Sequence, residues 1–300
     1  MDLALLEDFL ELARELNFSR AAGNRNMTQP AFSRRIKNLE TAFQTPLIHR
    51  TTRQVTLTPA GKAFQPRAEA IVRMLSDARL EALEAAGLAQ RNLNLAATHA
   101  LSYTFVPRWL MQVGTPAEIG ALNMVSDTYR QCLRLMQNGG ASFFICHKGL
   151  AGNQELPGKQ FLCHPIASDC LAPLCAPDAE GLPLWELGSE SRDVPFIAYA
   201  GASGLHAILE AHWAENARPG IKPTMNSVLA STNLEMAKEG QGVAYLPLSL
   251  ARSDIEHGSL TRAGGEEFDV PVQVVIYRPH SRMSPHCEAF WKKVVGRADG

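Results

Sequence analysis

The chain has 300 residues, 46% of them apolar and 20% charged, and its formal net charge is −1. This length exceeds what one compact core holds and suits two or three units, and the composition is that of a globular protein, not a disordered or collagen-like one. No uninterrupted apolar run approaches the roughly 20 residues that span a bilayer, and the acidic N-terminus is unlike a secretory signal, so we expect a cytoplasmic protein with no membrane partner.

The six cysteines all lie after residue 130. They form no CxxC pair, and no spacing of cysteine and histidine matches a structural zinc site. We therefore expect no metal and no cofactor. Buried, reduced thiols are the simplest interpretation, and a redox role is the alternative.

Positive charge is concentrated in residues 18–67. This segment contains nine arginines and lysines and one acidic residue, Glu40, so nine minus one gives an excess of eight positive charges in a chain that is otherwise acidic. A local excess of this size is the electrostatic footprint of a surface that contacts phosphates, although a solvated basic face has the same composition.

Three short helices are predicted before the first strand. Apolar residues at helical spacing indicate a helix over residues 2–16, and Ser19 is suited to cap a second helix that runs to Asn26. Thr28 suits the N-cap of a third helix, where Pro30 is tolerated near the start. Two short helices joined by a tight turn are typical of a helix-turn-helix, whose second helix enters the major groove by its N-terminal residues.

The third helix presents polar and basic side chains opposite its apolar residues. Gln29 and Arg34 have the donors and acceptors for bidentate contacts with adenine and guanine edges, and Ser33 and Lys37 share their side of the helix. The following residues of this region are predicted to contact DNA: Ser19, Thr28, Gln29, Pro30, Phe32, Ser33, Arg34 and Lys37.

A wing is predicted after the third helix. Residues 46–48 and 54–57 have the pattern of two short strands, and the loop between them contains Arg50 and Arg53. In a wing these arginines contact the phosphate backbone or the minor groove, so they supply affinity without reading sequence.

Residues 59–89 are predicted to form one long helix, about 45 Å at a rise of 1.5 Å per residue. Its apolar positions alternate at steps of four and three and so make a heptad seam: Ile71, Leu75, Ala78, Ala82, Ala85 and Ala89. A narrow, alanine-rich seam favours pairing with a second copy of the chain, and we assign dimerisation to its first four residues. A surface helix packed on its own domain is the alternative.

Residues 90–300 alternate short apolar strands with helical patterns, which is typical of an α/β fold with two Rossmann-like subdomains. Predicted strands lie at 93–97, 122–126, 143–146, 196–199, 242–247 and 270–277. Predicted helices lie at 103–111, 128–137, 205–213, 227–238 and 285–295.

Polar side chains follow several of these strands at the ends where ligands bind in such sheets, near the free N–H groups of helix N-termini. The residues predicted to bind an effector are Thr98, His99, Ser102, Asp127, Thr128 and Ser203. Helix capping is the alternative role for each hydroxyl group. The pattern does not identify the ligand, although His99 and Arg130 favour an anion.

The strongest enzymatic alternative is a hydrolase built on Cys146 and His147. Adjacent residues of a strand point to opposite faces, so this pair does not form a nucleophile–base dyad. No GxSxG, GxGxxG or phosphate-loop motif occurs, and we expect no enzymatic activity. A purely structural DNA-binding protein without an effector is a further alternative, but a large two-lobed domain argues against it.

Five segments, in order, resemble the signature of LysR-type transcription regulators: 18–22 (FSRAA), 28–33 (TQPAFS), 36–40 (IKNLE), 46–50 (PLIHR) and 57–61 (LTPAG). They follow one another with the spacing of that family, which makes the resemblance far more specific than a helix-turn-helix alone. Two positions depart from it, since Arg25 stands where the family usually has leucine and Gln44 where it often has glycine.

The resemblance implies an all-α, winged-helix N-terminal domain, a dimerising linker helix, and an α/β effector domain similar to periplasmic binding proteins. The implied boundaries are 1–58 for the winged helix-turn-helix (with the helix-turn-helix at about 18–37), 59–89 for the linker, and 90–300 for the effector domain, with subdomains 90–162 plus 267–300 and 163–266.

The function implied is sequence-specific binding of double-stranded DNA by a bacterial transcription regulator that a small-molecule effector modulates. The heptad seam leads us to expect a homodimer, and the two-fold axis of a dimer imposes an imperfect palindrome on the operator. A homotetramer, and RNA polymerase as a partner during activation, follow from the resemblance alone.

Residues 25–26 and 32–36 most resemble the hypochlorite-responsive branch of the family. Oxidation of methionine or cysteine is therefore an alternative signal, because it makes a packed apolar side chain polar. The methionines that sense oxidant in that branch correspond to Leu205 and Leu229 here, which weakens this alternative, although Met225, Met236 and the thiols remain as substitutes.

Overall fold

The computed structural model describes residues 2–50, 54–85, 92–150, 160–188 and 193–296. The chain divides into two compact units, the first with residues 1–88 and 137–139 and the second with residues 89–136 and 140–300. Within the described ranges, no helix is both long and apolar enough to cross a lipid bilayer.

The first unit is a helix-turn-helix with a wing and a long helix, as predicted. Its elements are α1 (Leu3–Glu15), α2 (Phe18–Asn24), α3 (Gln29–Phe43), β1 (Ile48–Arg50), β2 (Val55–Leu57) and α4 (Pro59–Ala85). Strands β1 and β2 pair antiparallel. The first three helices enclose a core in which Phe9, Phe32, Ile36 and Leu39 are fully buried, and Val72 of α4 packs against it.

The cap of α2 differs from the prediction, whereas α3 has the predicted N-cap residue. Asn17, not Ser19, caps α2, since its side chain accepts hydrogen bonds from two backbone N–H groups of the first turn, both at 3.0 Å. Thr28 is the N-cap residue of α3, but its side chain makes no capping hydrogen bond. Helix α2 ends at Asn24 because Asn26 has a positive φ of 53°, outside the right-handed helical region.

The second unit is an α/β structure, as predicted. Its strands are β3 (Asn92–Thr98), β4 (Ala121–Asp127), β5 (Phe143–Gly149), β6 (Phe161–Cys175), β7 (Val194–Tyr199), β8 (Ile221–Ser227), β9 (Ala244–Pro247), β10 (Thr261–Arg262) and β11 (Val270–Pro279). Its helices are α5 (His99–Thr104), α6 (Val106–Val113), α7 (Pro116–Ile119), α8 (Tyr129–Gln137), α9 (Gly204–Glu215), α10 (Ala230–Lys238), α11 (Leu248–Glu256) and α12 (Pro285–Val295), with a 3₁₀ turn at Glu266–Phe268.

The main sheet of this unit has the order β10-β6-β11-β5-β3-β4, with β9 paired to β6. Strand β3 runs parallel to β4 and β5, whereas β11 runs antiparallel to β5 and β6. Strands β7 and β8 form a separate parallel pair. Helices α5, α6 and α12 pack on one face of β3 and β5, and α8 packs on the other.

The long strands β6 and β11 belong to two hydrophobic cores. Val274 and Ile276 of β11 pack with β3 and β5, whereas Val270 of the same strand and Leu171 of β6 pack with Phe196 of β7. The cores lie on successive stretches of one antiparallel pair, so the halves of the second unit share two strands.

Two helices of the second unit differ from the prediction. The helix predicted at 103–111 is broken into α5 and α6, because Pro107 lacks the N–H that would continue α5. The helix predicted at 227–238 begins only at Ala230, because Ser227 is the last residue of β8.

Candidate functional site

The exposed side of α3 is the first candidate site. Its exposed side chains are Thr28, Gln29, Pro30, Arg34 and Lys37, and Ser19 is exposed on α2. The opposite side of α3 is held in the core through Ile36 and Leu39. A rigid helix therefore presents amide, guanidinium and ammonium donors together, as groove contacts require.

Phe32 does not belong to this surface. Its side chain is fully buried and packs edge-on against Phe18, with the ring centroids 6.2 Å apart. The prediction that Phe32 contacts DNA is wrong, because helical spacing places this residue on the core side of α3. Its contact with Phe18 holds α2 against α3 instead.

Arg50, the last residue of β1, turns back onto α3. Its Nη1 donates a hydrogen bond to Ser33 Oγ at 3.2 Å, and its guanidinium lies 5.4 Å from the centroid of the Phe18 ring. The side chain remains 45% exposed. The wing is thus tied to the helix that presents Gln29 and Arg34. Arg53, the other predicted wing arginine, lies outside the described residues.

Glu40 anchors the start of the wing. Its Oε1 accepts hydrogen bonds from the backbone N–H groups of Leu47 at 2.9 Å and Ile48 at 3.0 Å, and its Oε2 lies 3.7 Å from Arg50 Nη2. These bonds explain why β1 begins at Ile48 and not at residue 46 as predicted. In the sequence, Glu40 is recognisable only as the single acidic residue of a basic segment. Composition alone does not indicate that it binds the backbone of the wing.

Two arginines of the basic segment form ion pairs within the first unit. Asp8 of α1 is fully buried and accepts a hydrogen bond from Arg25 Nε at 2.8 Å, and it forms a second ion pair with Arg35. Glu7 Oε2 lies 2.7 Å from Arg25 Nη2. Burial lowers the pKa of Arg25, but its hydrogen bonds to the carboxylates of Asp8 and Glu7 outweigh this effect, so the pKa is raised overall. This pairing accommodates an arginine where the family resemblance places leucine.

The predicted seam of α4 is exposed in the single chain. Ile71 is 42% and Leu75 50% exposed, and Ala78 and Ala82 are exposed as well. Val72, on another side of the helix, is buried in the core of the first unit. The side chain of Ala85 and the whole of Ala89 lie outside what the structure describes.

In the second unit, a cleft of about 450 Å³, including its opening to solvent, lies where helices α5, α8, α9 and α10 begin. Five of the six predicted effector residues line it: Thr98, His99, Asp127, Thr128 and Ser203. The other lining residues are Ala100, Tyr129, Cys146, His147, Gly204, Leu205, Val228, Leu229 and Ala230.

Two hydroxyl groups of the cleft make no capping bond. Ser203 is 8% exposed and its side chain does not cap α9, although it occupies the N-cap position. Thr98 Oγ1 is buried and has no hydrogen-bond partner among the described residues. Thr128, in contrast, caps α8 by accepting a hydrogen bond from the backbone N–H of Gln131 at 3.3 Å. Of the hydroxyl groups of Thr98, Thr128 and Ser203, only that of Thr128 therefore has the capping role that was the alternative to effector binding.

Ser102 supports the cleft without lining it. Its Oγ donates a hydrogen bond to the carbonyl oxygen of His99 at 2.8 Å and lies 2.7 Å from Ser126 Oγ, which is 3.0 Å from His99 Nδ1. Ser102 thus fixes the His99 ring. Arg130 is exposed and does not line the cleft.

Cys146 and His147 lie on opposite faces of β5, as strand alternation predicts. Cys146 is packed in the core beneath α8, and burial raises the pKa of its thiol well above the ordinary value. His147 Nε2 lies 2.9 Å from Asp169 Oδ2 of β6. The Asp169 contact was missed from the sequence, because β6 itself was not predicted.

The pKa values of four thiols, Cys132, Cys146, Cys170 and Cys175, lie above the ordinary value for cysteine. Burial raises the pKa of Cys132 and of Cys170 to about 12. The described residues contain no group of three or more histidine, cysteine, aspartate or glutamate side chains able to hold a metal ion.

Comparison with known proteins covers both units. Residues 3–62 match the family model of bacterial regulatory helix-turn-helix proteins of the lysR family, and residues 86–299 match the LysR substrate binding domain. The transcriptional regulator YjiE of Escherichia coli K12 is 28% identical over 96% of this chain and 92% of its own. The regulator CysL of Bacillus subtilis is 32% identical over 86% and 84%.

Solved structures agree over nearly the whole chain. HypT of Salmonella typhimurium, a hypochlorite-specific LysR-type regulator, has a TM-score of 0.58 and 27% identity, with 99% of this chain and 97% of that chain covered. DarR of Vibrio fischeri, solved in complex with DNA, has a TM-score of 0.56 and 25% identity, with 98% of both chains covered. The chain therefore belongs to the LysR family of DNA-binding transcription regulators, with an N-terminal helix-turn-helix domain and a C-terminal effector-binding domain.

Proposed function

We propose that this regulator responds to a small organic anion with one negative charge, bound in the cleft where α8, α9 and α10 begin. The observation that carries the proposal is that these helices begin at a cleft whose lining includes Ser203 and Thr98, two residues whose hydroxyl groups make no capping bond. Each helix N-terminus carries about half a positive charge and free N–H donors.

The rest of the lining defines the class of ligand. Among the described residues, the lining contains the carboxylate of Asp127 and no lysine or arginine, so a second negative charge on the ligand would lack a partner there. Leu205, Val228 and Leu229 offer an apolar wall. A short monocarboxylate combines the single charge and the small apolar body that this lining accepts.

The first unit reads DNA in this proposal. Gln29 and Arg34 contact base edges from the exposed side of α3, whereas Lys37, Arg50 and Arg53 contact phosphates. Ser33, held by Arg50, positions the wing relative to the base-reading residues. No enzymatic step is part of the function.

The regulator acts as a dimer in this proposal. The exposed seam of Ile71, Leu75, Ala78 and Ala82 on α4 pairs with the same seam of a second copy. Two recognition helices related by a two-fold axis then bind an imperfect palindrome. Assembly to a tetramer and contact with RNA polymerase during activation extend the same proposal, and action on bacterial DNA places the protein in the cytoplasm.

A thermal-shift screen of the full chain tests the ligand class. Acetate, butyrate and benzoate are compared with their neutral amides and with succinate. We expect a monocarboxylate to raise the melting temperature, and Thr98→Val and Ser203→Ala to abolish the effect. Thr224→Val, at an exposed site on β8 outside the cleft, is the matched control and keeps it. An amide that stabilises as well as its acid, or an unchanged response in both cleft variants, contradicts the proposal.

A second candidate signal is an oxidant, which the similarity to the hypochlorite-specific HypT favours. Oxidation of Cys132, Cys146 and Cys170 is disfavoured, since the thiolate is the reactive form and burial raises the pKa of these thiols, whereas Cys163 is exposed. Graded hypochlorite decides between the signals. A change in DNA binding that needs oxidant and is lost on replacing Met225, Met236 or the cysteines would favour the oxidant over the anion.

A further inference from the structure

His147 is one of the residues that line the cleft, and its imidazole contacts a carboxylate. Asp169 Oδ2 lies 2.9 Å from His147 Nε2 and accepts a hydrogen bond from Ser249 Oγ at 2.6 Å. Asp169 Oδ1 accepts hydrogen bonds from the backbone N–H groups of Cys170 at 2.9 Å and Ser249 at 3.1 Å. Four donors from β5, β6 and α11 thus hold one carboxylate in place.

Asp169 carries its negative charge in this setting. Burial works against ionisation, but the hydrogen bonds from His147 and Ser249 outweigh it and hold the pKa of Asp169 below its ordinary value. The side chains of His147 and Asp169 are only 3% and 5% exposed, so water screens their interaction weakly. His147 therefore both lines the cleft and pairs with a fixed negative charge.

We infer that an anion bound in the cleft is taken up together with a proton on His147, and that Asp169 is the positioning residue that makes this coupling possible. The inference rests on the anionic ligand of the proposed function. With an anion on one side and Asp169 on the other, two negative charges favour the imidazolium. By linkage, protonation of His147 strengthens anion binding by the factor by which the anion favours protonation.

The other titratable groups around the cleft and beside His147 are His99, Asp127, Tyr129, Cys146 and Lys148. Among these residue types only histidine changes charge between about pH 5 and pH 8. His99 is distinguished from His147 by its partner, since its Nδ1 contacts the neutral hydroxyl of Ser126 and not a carboxylate. The coupling is therefore assigned to His147.

The test is calorimetric titration of the full-length protein with butyrate between about pH 6 and pH 8. Uptake of one proton weakens butyrate binding by up to about tenfold per pH unit as the pH rises, and the measured heat depends on the ionisation enthalpy of the buffer. Asp169→Asn, which keeps the size and the hydrogen-bond acceptor but removes the charge, flattens this dependence. His147→Gln flattens it as well and serves as the second variant if Asp169→Asn does not fold.

Ser249→Ala and His99→Gln are the matched controls. Ser249→Ala removes one donor to Asp169 but leaves the carboxylate and His147, so the pH dependence remains. His99→Gln leaves the Asp169–His147 pair intact and also retains it. A pH dependence that survives Asp169→Asn, or that His99→Gln abolishes, overturns the inference. Butyrate affinity that does not change with pH overturns the proton coupling alone, whereas absence of binding at every pH contradicts the proposed anion site itself.

Discussion

Asp8 is the residue on which the charge balance of the first unit depends. It is fully buried and pairs with Arg25 and Arg35, which are each 29% exposed. Asp8→Asn leaves two guanidinium groups without their shared counter-charge, and we expect a loss of about 3 kcal/mol in the free energy of unfolding. Far-UV circular dichroism during urea unfolding measures it.

Arg25→Leu is the comparison for this prediction. It restores the residue that the family usually has and leaves Asp8 paired with Arg35, so its cost is expected to be smaller than that of Asp8→Asn. If both variants unfold at the urea concentration of the unmodified protein, the Asp8 pairs contribute nothing to stability.

In the proposed mode of DNA binding, Arg34 reads bases and Arg50 contacts phosphates. Arg34→Ala is expected to weaken binding to the preferred site by about 1–3 kcal/mol and to leave random DNA nearly unaffected, because it removes a base contact. Arg50→Ala is expected to weaken both and to reduce the salt dependence by about one unit of slope. Titrations of both DNAs at several salt concentrations distinguish the roles. An equal effect of Arg34→Ala on the two DNAs would refute its base contact.

Residue types and helical spacing predicted which side of α3 is exposed. They did not predict the contacts of individual side chains at its edge. Helical spacing already separated Gln29 and Arg34 from the core side of α3, and it should have excluded Phe32, which packs on Phe18. The turn of Arg50 onto Ser33 was not predictable, because it depends on where a three-residue strand ends next to another helix.

Gln44 ends α3 in a conformation that favours glycine. Its φ and ψ are 52° and 25°, in the left-handed region, where a side chain is strained. We expect Gln44→Gly to raise the free energy of unfolding by about 0.5–1 kcal/mol, whereas Ala42→Gly, at an exposed helical position nearby, lowers it by about 1 kcal/mol. Urea unfolding of the two variants checks the opposite signs. A loss of stability in both would contradict the assignment of strain.

In the proposed dimer, the seam of α4 forms the contact between the two copies. Leu75→Glu places charge in a face that pairing would bury, so we expect the dimer to dissociate and DNA binding to fall. Ala63→Glu, exposed on the same helix outside the seam, is the control that leaves both unchanged. Analytical ultracentrifugation and a binding titration measure the two properties. A Leu75→Glu protein that sediments as a dimer and binds DNA normally would show that the seam does not form the dimer contact.

Helices and strands whose apolar residues recur at a regular spacing were predicted from the sequence. Elements without such a regular spacing were not. Helix α12 has the bounds that were predicted, Pro285–Val295, because proline starts it and its apolar spacing is regular. Strand β6 was missed because its first ten residues show no regular alternation of burial and include Pro165, with a bulge where it faces Val274 and Val275. Its register with β11 depends on a partner about a hundred residues away in sequence, which no local pattern encodes.

At the scale of the molecule, the two-domain order was predictable but the network around the cleft was not. The rule that ligands bind beyond strand ends located five lining residues from the sequence, because it needs only the ends of β3, β4 and β7. The pairing of His147 with Asp169 and Ser249 joins residues from β5, β6 and α11, and only the folded sheet brings them together.

The measurement that tests the central claim most directly is a DNA-binding titration on sites selected from a random library, with and without the anion that raises the melting temperature. We expect the selected sites to be imperfect palindromes. We expect the anion to change the affinity of the protein for these sites or the length of DNA that it protects. In Thr98→Val and Ser203→Ala proteins, DNA binding remains but the response to the anion is lost. Identical footprints and affinities at saturating anion, or an unchanged response in the cleft variants, would contradict control of DNA binding from this cleft.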